Sequence, residues 1–115
     1  MIPEKLLESY KARQKKYLKG ELIFQEGSLP DNYYQILEGE VKMCNFNNEG
    51  REFIQGIFYE KQSFGEPPLF LNRAYPANAI AVSDCVIAVL SKNNYLDLVR
   101  DNPEIALAII EHLAH

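Results

Sequence analysis

From Lys15 to Gly65 the chain runs in short apolar stretches, each closed by a break that carries glycine. The breaks are Lys19-Gly20, Glu26-Gly27, Glu38-Gly39, Asn48-Glu49-Gly50 and Phe64-Gly65. Turn signals this regular predict a mainly β domain, an antiparallel sandwich or barrel. Asn32–Leu37 and Val41–Phe46 flank Glu38-Gly39-Glu40 and read as two strands joined by a tight turn. Asn48-Glu49-Gly50 then returns the chain to Arg51–Phe58 as a second hairpin. Ala77–Ser83 and Cys85–Leu90, rich in Ala, Val and Ile, add two strands separated at Asp84.

The ends differ from the middle. Residues 3–11 place Leu6, Leu7 and Tyr10 at helical spacing behind Pro3, which suits a first helical position. Near the other end Ser91 can cap a helix carrying Tyr95, Leu98 and Val99 on one face. Asn102-Pro103-Glu104 then restarts a second helix, with a cap residue, proline at the first position and an acid near the positive dipole end. That helix carries Ile105, Ala108, Ile109 and Leu113 on one stripe, with Ala106 and Ile110 beside it. Such an apolar face is wider than packing on one small barrel requires, so a homodimer through this helix is expected, with Ile105, Ile109 and Leu113 exposed. The helix stops at His115 without a glycine or other cap, which reads as the front piece of a longer protein.

Composition narrows the function. At 115 residues the chain fits one domain, spanning 1–115, and its thirteen aromatics (seven Tyr, six Phe) allow a real core. A domain this size buries roughly 65% of its unfolded surface, enough to fold without metals or disulfides. Cys44 and Cys85 sit in apolar runs and read as buried small hydrophobes, not as a disulfide scaffold or metal cluster. That points to a reducing compartment and a cytoplasmic location. No signal-peptide core and no run of about 18 apolar residues is present, so no membrane span is expected. A net charge of −4 argues against a direct grip on DNA. Lys11, Arg13, Lys15, Lys16 and Lys19 are diluted by Glu4, Glu8 and Glu21, and read as solvated helix and edge-strand charges.

No enzyme site is legible. The histidines, His112 and His115, both lie on the last helix, so no imidazole cluster can converge inside a barrel and no Ser/His/Asp set exists. No metal site and no cofactor are expected.

The most specific stretch is Phe64-Gly65-Glu66-Pro67-Pro68-Leu69-Phe70: a glycine before an acid and a short helical turn, whose free N–H groups favour an anion. It follows Lys19-Gly20-Glu21-Leu22-Ile23-Phe24-Gln25-Glu26-Gly27 and Tyr33-Tyr34-Gln35-Ile36-Leu37-Glu38-Gly39-Glu40-Val41, and precedes strand and two helices. In that order, over roughly residues 12–115, the set resembles the cyclic-nucleotide-binding domain family. In style it is similar to the sensor domains of Crp/Fnr-type bacterial transcription regulators. The resemblance implies an antiparallel double-stranded β-helix, or jelly-roll, barrel over about residues 12–90, with a short N-terminal helix and two C-terminal helices. It also implies a small-molecule or nucleotide effector in a pocket at the cassette, a dimer through the C-terminal helix, and DNA contact only through a segment these residues do not contain.

Carried over residue by residue, the resemblance puts Glu66 in the place of the glutamate that takes the ribose 2′-hydroxyl. The arginine that pairs with the cyclic phosphate falls on Tyr75, which is neutral near pH 7. Two backbone N–H donors fall on Pro68 and Pro76, which have none to give. Losing a charged hydrogen bond costs roughly 1.5–3 kcal/mol, so usual cAMP binding is not expected. Gly65, Glu66, Arg73 and Tyr75 are the candidate pocket residues. Arg73 stands two positions early and is either a substitute phosphate ligand or a solvated loop residue. Glu66 is either a ribose ligand or a cap for the local backbone. Pro67-Pro68 equally suits a stiffened first helical turn. The competing reading of the whole chain is a ligand-free dimerisation or interaction module on the same fold.

Overall fold

The structure, a computed structural model, describes residues 2–113, without the side chains of Glu66, Pro67, Pro68 and Leu113. The elements run α1 (Glu4–Ser9), β1 (Arg13–Tyr17), β2 (Leu22–Phe24), β3 (Asn32–Glu38), β4 (Val41–Phe46), β5 (Glu52–Phe58) and β6 (Ser63–Phe64). They continue with α2 (Glu66–Leu71), β7 (Asn78–Ala81), β8 (Cys85–Ser91), α3 (Lys92–Asp101) and α4 (Pro103–Leu113). Two four-stranded antiparallel sheets result, ordered β1-β8-β3-β6 and β2-β7-β4-β5. This is the mainly β architecture with flanking helices that the turn spacing predicts.

One core lies between the sheets. It holds Tyr17, Phe24, Tyr34, Ile36, Val41, Phe64, Tyr75, Ala79, Ala81, Cys85, Ile87 and Val89. A second core lies on the far side of β3 and β8, where Tyr33, Ala88 and Leu90 meet Leu7, Leu69, Tyr95 and Leu98 of the helices. The strands β3 and β8 are therefore covered on both faces, which is why Tyr33–Leu37 and Cys85–Leu90 read as nearly unbroken apolar runs rather than alternating ones. The exception inside β3, Gln35, is hydrogen-bonded through both its amide oxygen and its amide nitrogen. Its amide accepts from the Ile2 N–H (3.3 Å) and Tyr33 hydroxyl (2.7 Å) and donates to the Ile2 carbonyl (2.8 Å). Both cysteines are buried and free, and burial pushes their thiols up from the ordinary value.

Two turns act differently from expectation. Asn48-Glu49-Gly50 closes the β4–β5 hairpin as predicted. The turn at Gly39 does not close a hairpin, because β3 and β4 belong to different sheets. The break at Asp84 likewise carries the chain from β7 in one sheet to β8 in the other. These corners lie against each other. Val82 N–H donates to the Glu40 carbonyl (2.9 Å), Glu40 N–H to Ser83 Oγ (3.1 Å), and Lys19 N–H to Asp84 Oδ1 (2.9 Å). Burying the two inner faces together selects sheet-switching corners over a hairpin that would leave one face wet.

At the C-terminal end Ser91 caps α3, its hydroxyl accepting from Asn94 N–H (3.2 Å), and Tyr95 and Leu98 are buried as the helical spacing predicts. Asn102 joins α3 to α4. Its side chain donates to the Leu98 carbonyl (2.7 Å), and its own carbonyl accepts from Ile105 and Ala106, opening α4. The expected exposed stripe is rotated. Ile105 and Ile109 pack against the second core, while Leu107 and Ile110 are each 62% exposed; the Leu113 side chain lies outside the described residues.

Candidate functional site

The segment from β6 to β7 carries the site that the resemblance implies. Gly65 has φ +76° and ends β6, turning the chain into α2. A Cβ at this position would sit 3.1 Å from the rings of both Phe24 and Tyr75, so glycine serves the dihedral and the packing together. Glu66 opens α2, and its carboxylate lies outside the described residues, so neither its ribose role nor its cap role is placed.

Tyr75, expected to line a pocket, lies in the core between the two sheets. It is 3% exposed and stacks on Phe24 with ring centroids 3.6 Å apart and planes 7° from parallel. Phe24 in turn meets Tyr34 and Phe64, so an aromatic column fills the space between the sheets. The Tyr75 backbone is also engaged: its N–H donates to the Ser28 carbonyl (2.9 Å) and its carbonyl accepts from Gly27 N–H (2.9 Å). Its hydroxyl has no hydrogen-bond partner among the described residues. Burial, chiefly, and the neighbouring Tyr34 and Asp31 push this phenol far above its ordinary value, so it carries no charge at any physiological pH.

Arg73 is exposed on the loop after α2 and makes no ion pair among the described residues. It is not among the residues that line the cleft described below. Gly65 and Tyr75 are brought together; Arg73 is not.

Beside this filled interior an open cleft of about 400 Å³ lies between the β4–β5 hairpin and the start of β7. Met43, Asn45, Gln55, Gly56, Phe58, Pro76 and Ala77 line it. Most of its wall is apolar, and no charged side chain lines it. Its polar part is a chain of amides. Gln55 Nε2 donates to Asn45 Oδ1 (3.0 Å), and Asn45 Nδ2 donates to the Pro76 carbonyl (2.8 Å) and to Glu26 Oε1 (2.9 Å). At the place that the resemblance gives to a phosphate-binding N–H, then, Pro76 offers a carbonyl already bonded to Asn45, and the Glu26 carboxylate accepts from the same Asn45 amide. Both repel an anion.

The sequence reading missed Asn45, Gln55 and Gly56. The signal available was Gly56 inside a strand-like run, which marks a bulge or a close backbone approach. The bulge is present: Met43 pairs with Gly56 and Cys44 with Ile54, leaving Gln55 as the extra residue.

The fold and the cassette now have counterparts among known proteins. The model for the cyclic nucleotide-binding domain matches residues 14–102, most of the chain. The chain belongs to the cyclic nucleotide-binding domain family. It is 30% identical over 90 residues to the cyclic AMP receptor protein of Thermus thermophilus, covering 78% of this chain and 42% of that protein. The crystal structure of the Thermus thermophilus catabolite activator protein superposes with a TM-score of 0.85 at 29% identity, covering 99% of this chain and 54% of that one. The sensor domain of the transcriptional regulator DNR from Pseudomonas aeruginosa superposes with a TM-score of 0.81, also at 29% identity, covering 95% and 72%. The chain thus spans about half the length of the receptor proteins it matches. No helix among the described residues is long and apolar enough to cross a membrane.

Proposed function

We propose that this cyclic nucleotide-binding domain is the effector-sensing part of a Crp/Fnr-type transcription regulator, and that its effector is not held through a cyclic phosphate. The observation that carries this reading is the inward position of Tyr75, packed on Phe24 with its hydroxyl buried. The arginine place of the family therefore presents core, not charge. The Pro76 carbonyl bonded to Asn45 supports the same reading. The role is regulatory rather than catalytic. DNA contact in such a regulator belongs to residues other than these, in keeping with a net charge of −4.

Calorimetry with cAMP and cGMP tests this. Neither is expected to bind more tightly than about 1 mM, a free energy of roughly −4 kcal/mol. A micromolar constant that Arg73→Ala abolishes would move the phosphate onto the exposed loop and overturn the reading. A micromolar constant that survives Arg73→Ala would place the phosphate on other groups and equally overturn the reading.

A second reading, an interaction module without effector, draws on Leu107 and Ile110, each 62% exposed on α4. The two readings share a dimer through this helix, with its apolar seam on Leu107 and Ile110 rather than Ile105 and Ile109. In light scattering on a dimeric full-length protein, Ile110→Glu is expected to yield monomer. Unchanged mass would remove α4 from the interface.

A further inference from the structure

We propose that β5 is a self-association edge. It pairs antiparallel with β5 of a second copy of this chain, Ile54 opposite the partner's Ile57.

The two sheets end in four edge strands, and three of these are protected. β1 carries Arg13, Lys15 and Lys16, while β2 has three residues and β6 two. β5 has seven, Glu52–Phe58, with neither proline nor lysine among them. Its one charge, Glu52, is tied to Lys42 of β4 at 2.6 Å. Phe53, Ile54 and Ile57 are exposed, Ile54 by 53% and Ile57 by 42%. A long apolar edge of this kind is a template for another strand.

The backbone is oriented for pairing. Peptide groups alternate between the two sides of a strand. Asn47 N–H donates to the Arg51 carbonyl (3.0 Å), so Arg51 faces β4 while Glu52 and Ile54 turn their peptide groups outward. On β4 the Glu40 carbonyl accepts from Val82 beside β7, so Lys42 faces β7 as well. Its opposite number on β5, Ile57, therefore turns its peptide groups to the free edge.

The bulge decides the occupant. Ile54 pairs with Cys44 and Ile57 with Lys42, two residues apart on β4, so both isoleucines lie on one face. Without the bulge, residues three apart would point to opposite faces. Directly opposed residues of paired strands share a face, so the bulge is what lets Ile54 stand against Ile57 of a second copy. The same register sets Phe53 against Phe58, which also share a face, through Asn45 and Val41. Gln55-Gly56 then lies against Gly56-Gln55, so the extra residue of one strand meets that of the other. A strand of unrelated sequence lacks this match. Charge completes it. Arg51 falls opposite the partner's Glu60, twice by symmetry, and both are exposed and make no ion pair among the described residues.

One strand pair is a small interface, so the association is concentration-dependent. α4 packs over the other sheet, which leaves both contacts open in one molecule and extends an α4 dimer to a larger assembly.

The test is sedimentation of the full chain carrying Ile110→Glu, which removes association through α4. A reversible monomer–dimer equilibrium is expected. Ile54→Lys is expected to weaken it at least tenfold, and circular dichroism checks that this exposed substitution leaves the fold intact. Arg51→Glu sets like charges opposite each other and is expected to weaken the dimer about tenfold, whereas Arg51→Glu combined with Glu60→Arg restores it. Hydrogen exchange supplies a second readout. On dilution the Ile54 and Ile57 amides are expected to exchange faster, while those of Phe53 and Phe58, which face β4, do not change. A monomer at every concentration would overturn the proposal. A dimer indifferent to Ile54→Lys and to the charge reversal would do the same, as would Ile54 and Ile57 amides that exchange alike in monomer and dimer.

Discussion

Tyr75→Arg is expected to destabilise the domain by about 3–5 kcal/mol rather than to rebuild a phosphate site. By position in the family the substitution looks like a repair. By geometry it puts a guanidinium into a column of aromatic rings, 3.6 Å from Phe24 and directly beside Gly65. The loss has two parts: the stacked ring disappears, and a charge without a partner is left in the core. The companion variants separate them. Tyr75→Ala removes the ring alone and is expected to lose about 3–5 kcal/mol as a cavity opens between the sheets. Tyr75→Phe keeps the ring and deletes a hydroxyl that has no partner, so it should leave stability unchanged or raise it by about 1 kcal/mol. Urea unfolding of the four proteins measures all of this. If Tyr75→Arg unfolds within about 1 kcal/mol of the parent, the side chain reaches solvent and the filled-interior account of this site fails.

The second large effect belongs to Gly39→Ala, expected to destabilise by about 3–5 kcal/mol or to prevent folding. Gly39 has φ +97°, and an added Cβ would stand 2.6 Å from the Asp84 carbonyl oxygen and 2.8 Å from Cys85 Sγ. The obstacle is backbone of the other corner, itself held by the Val82–Glu40 and Lys19–Asp84 bonds, so it cannot swing aside as a side-chain tip would. Gly20→Ala is the comparison. Its φ is +89°, but a Cβ there meets nothing within 4 Å, so only the dihedral strain of about 1–2 kcal/mol applies. Equal unfolding midpoints for the two variants would show that the corners do not press on each other as described.

These two expectations mark where reading along the chain stops. Local chemistry settled the elements that announce themselves within a few residues. The Asn48-Glu49-Gly50 hairpin, the Ser91 cap and the Asn102-Pro103 restart each depend on neighbours in sequence, and each stands where expected. That β3 and β8 are buried on both faces, by contrast, is seen only in the packing of the two cores. What a turn joins is another matter: Glu38-Gly39-Glu40 has the chemistry of a hairpin, and only the pairing of β3 with β8, far along the chain, makes it a corner. On α4 both faces are apolar, so periodicity could not choose the inner one; contact with the second core chose Ile105 and Ile109. The same holds for the site. The resemblance puts a tyrosine and two prolines at the places of the family's phosphate donors, and that a proline lacks an N–H can be read from the sequence whatever the fold. Only the tertiary structure decided that Tyr75 turns inward, since a phenol suits a pocket wall and a core equally until Phe24 and Gly65 supply the space. It alone placed Gln55 in the cleft, because a bulge is a mismatch between two strands and neither strand records it by itself.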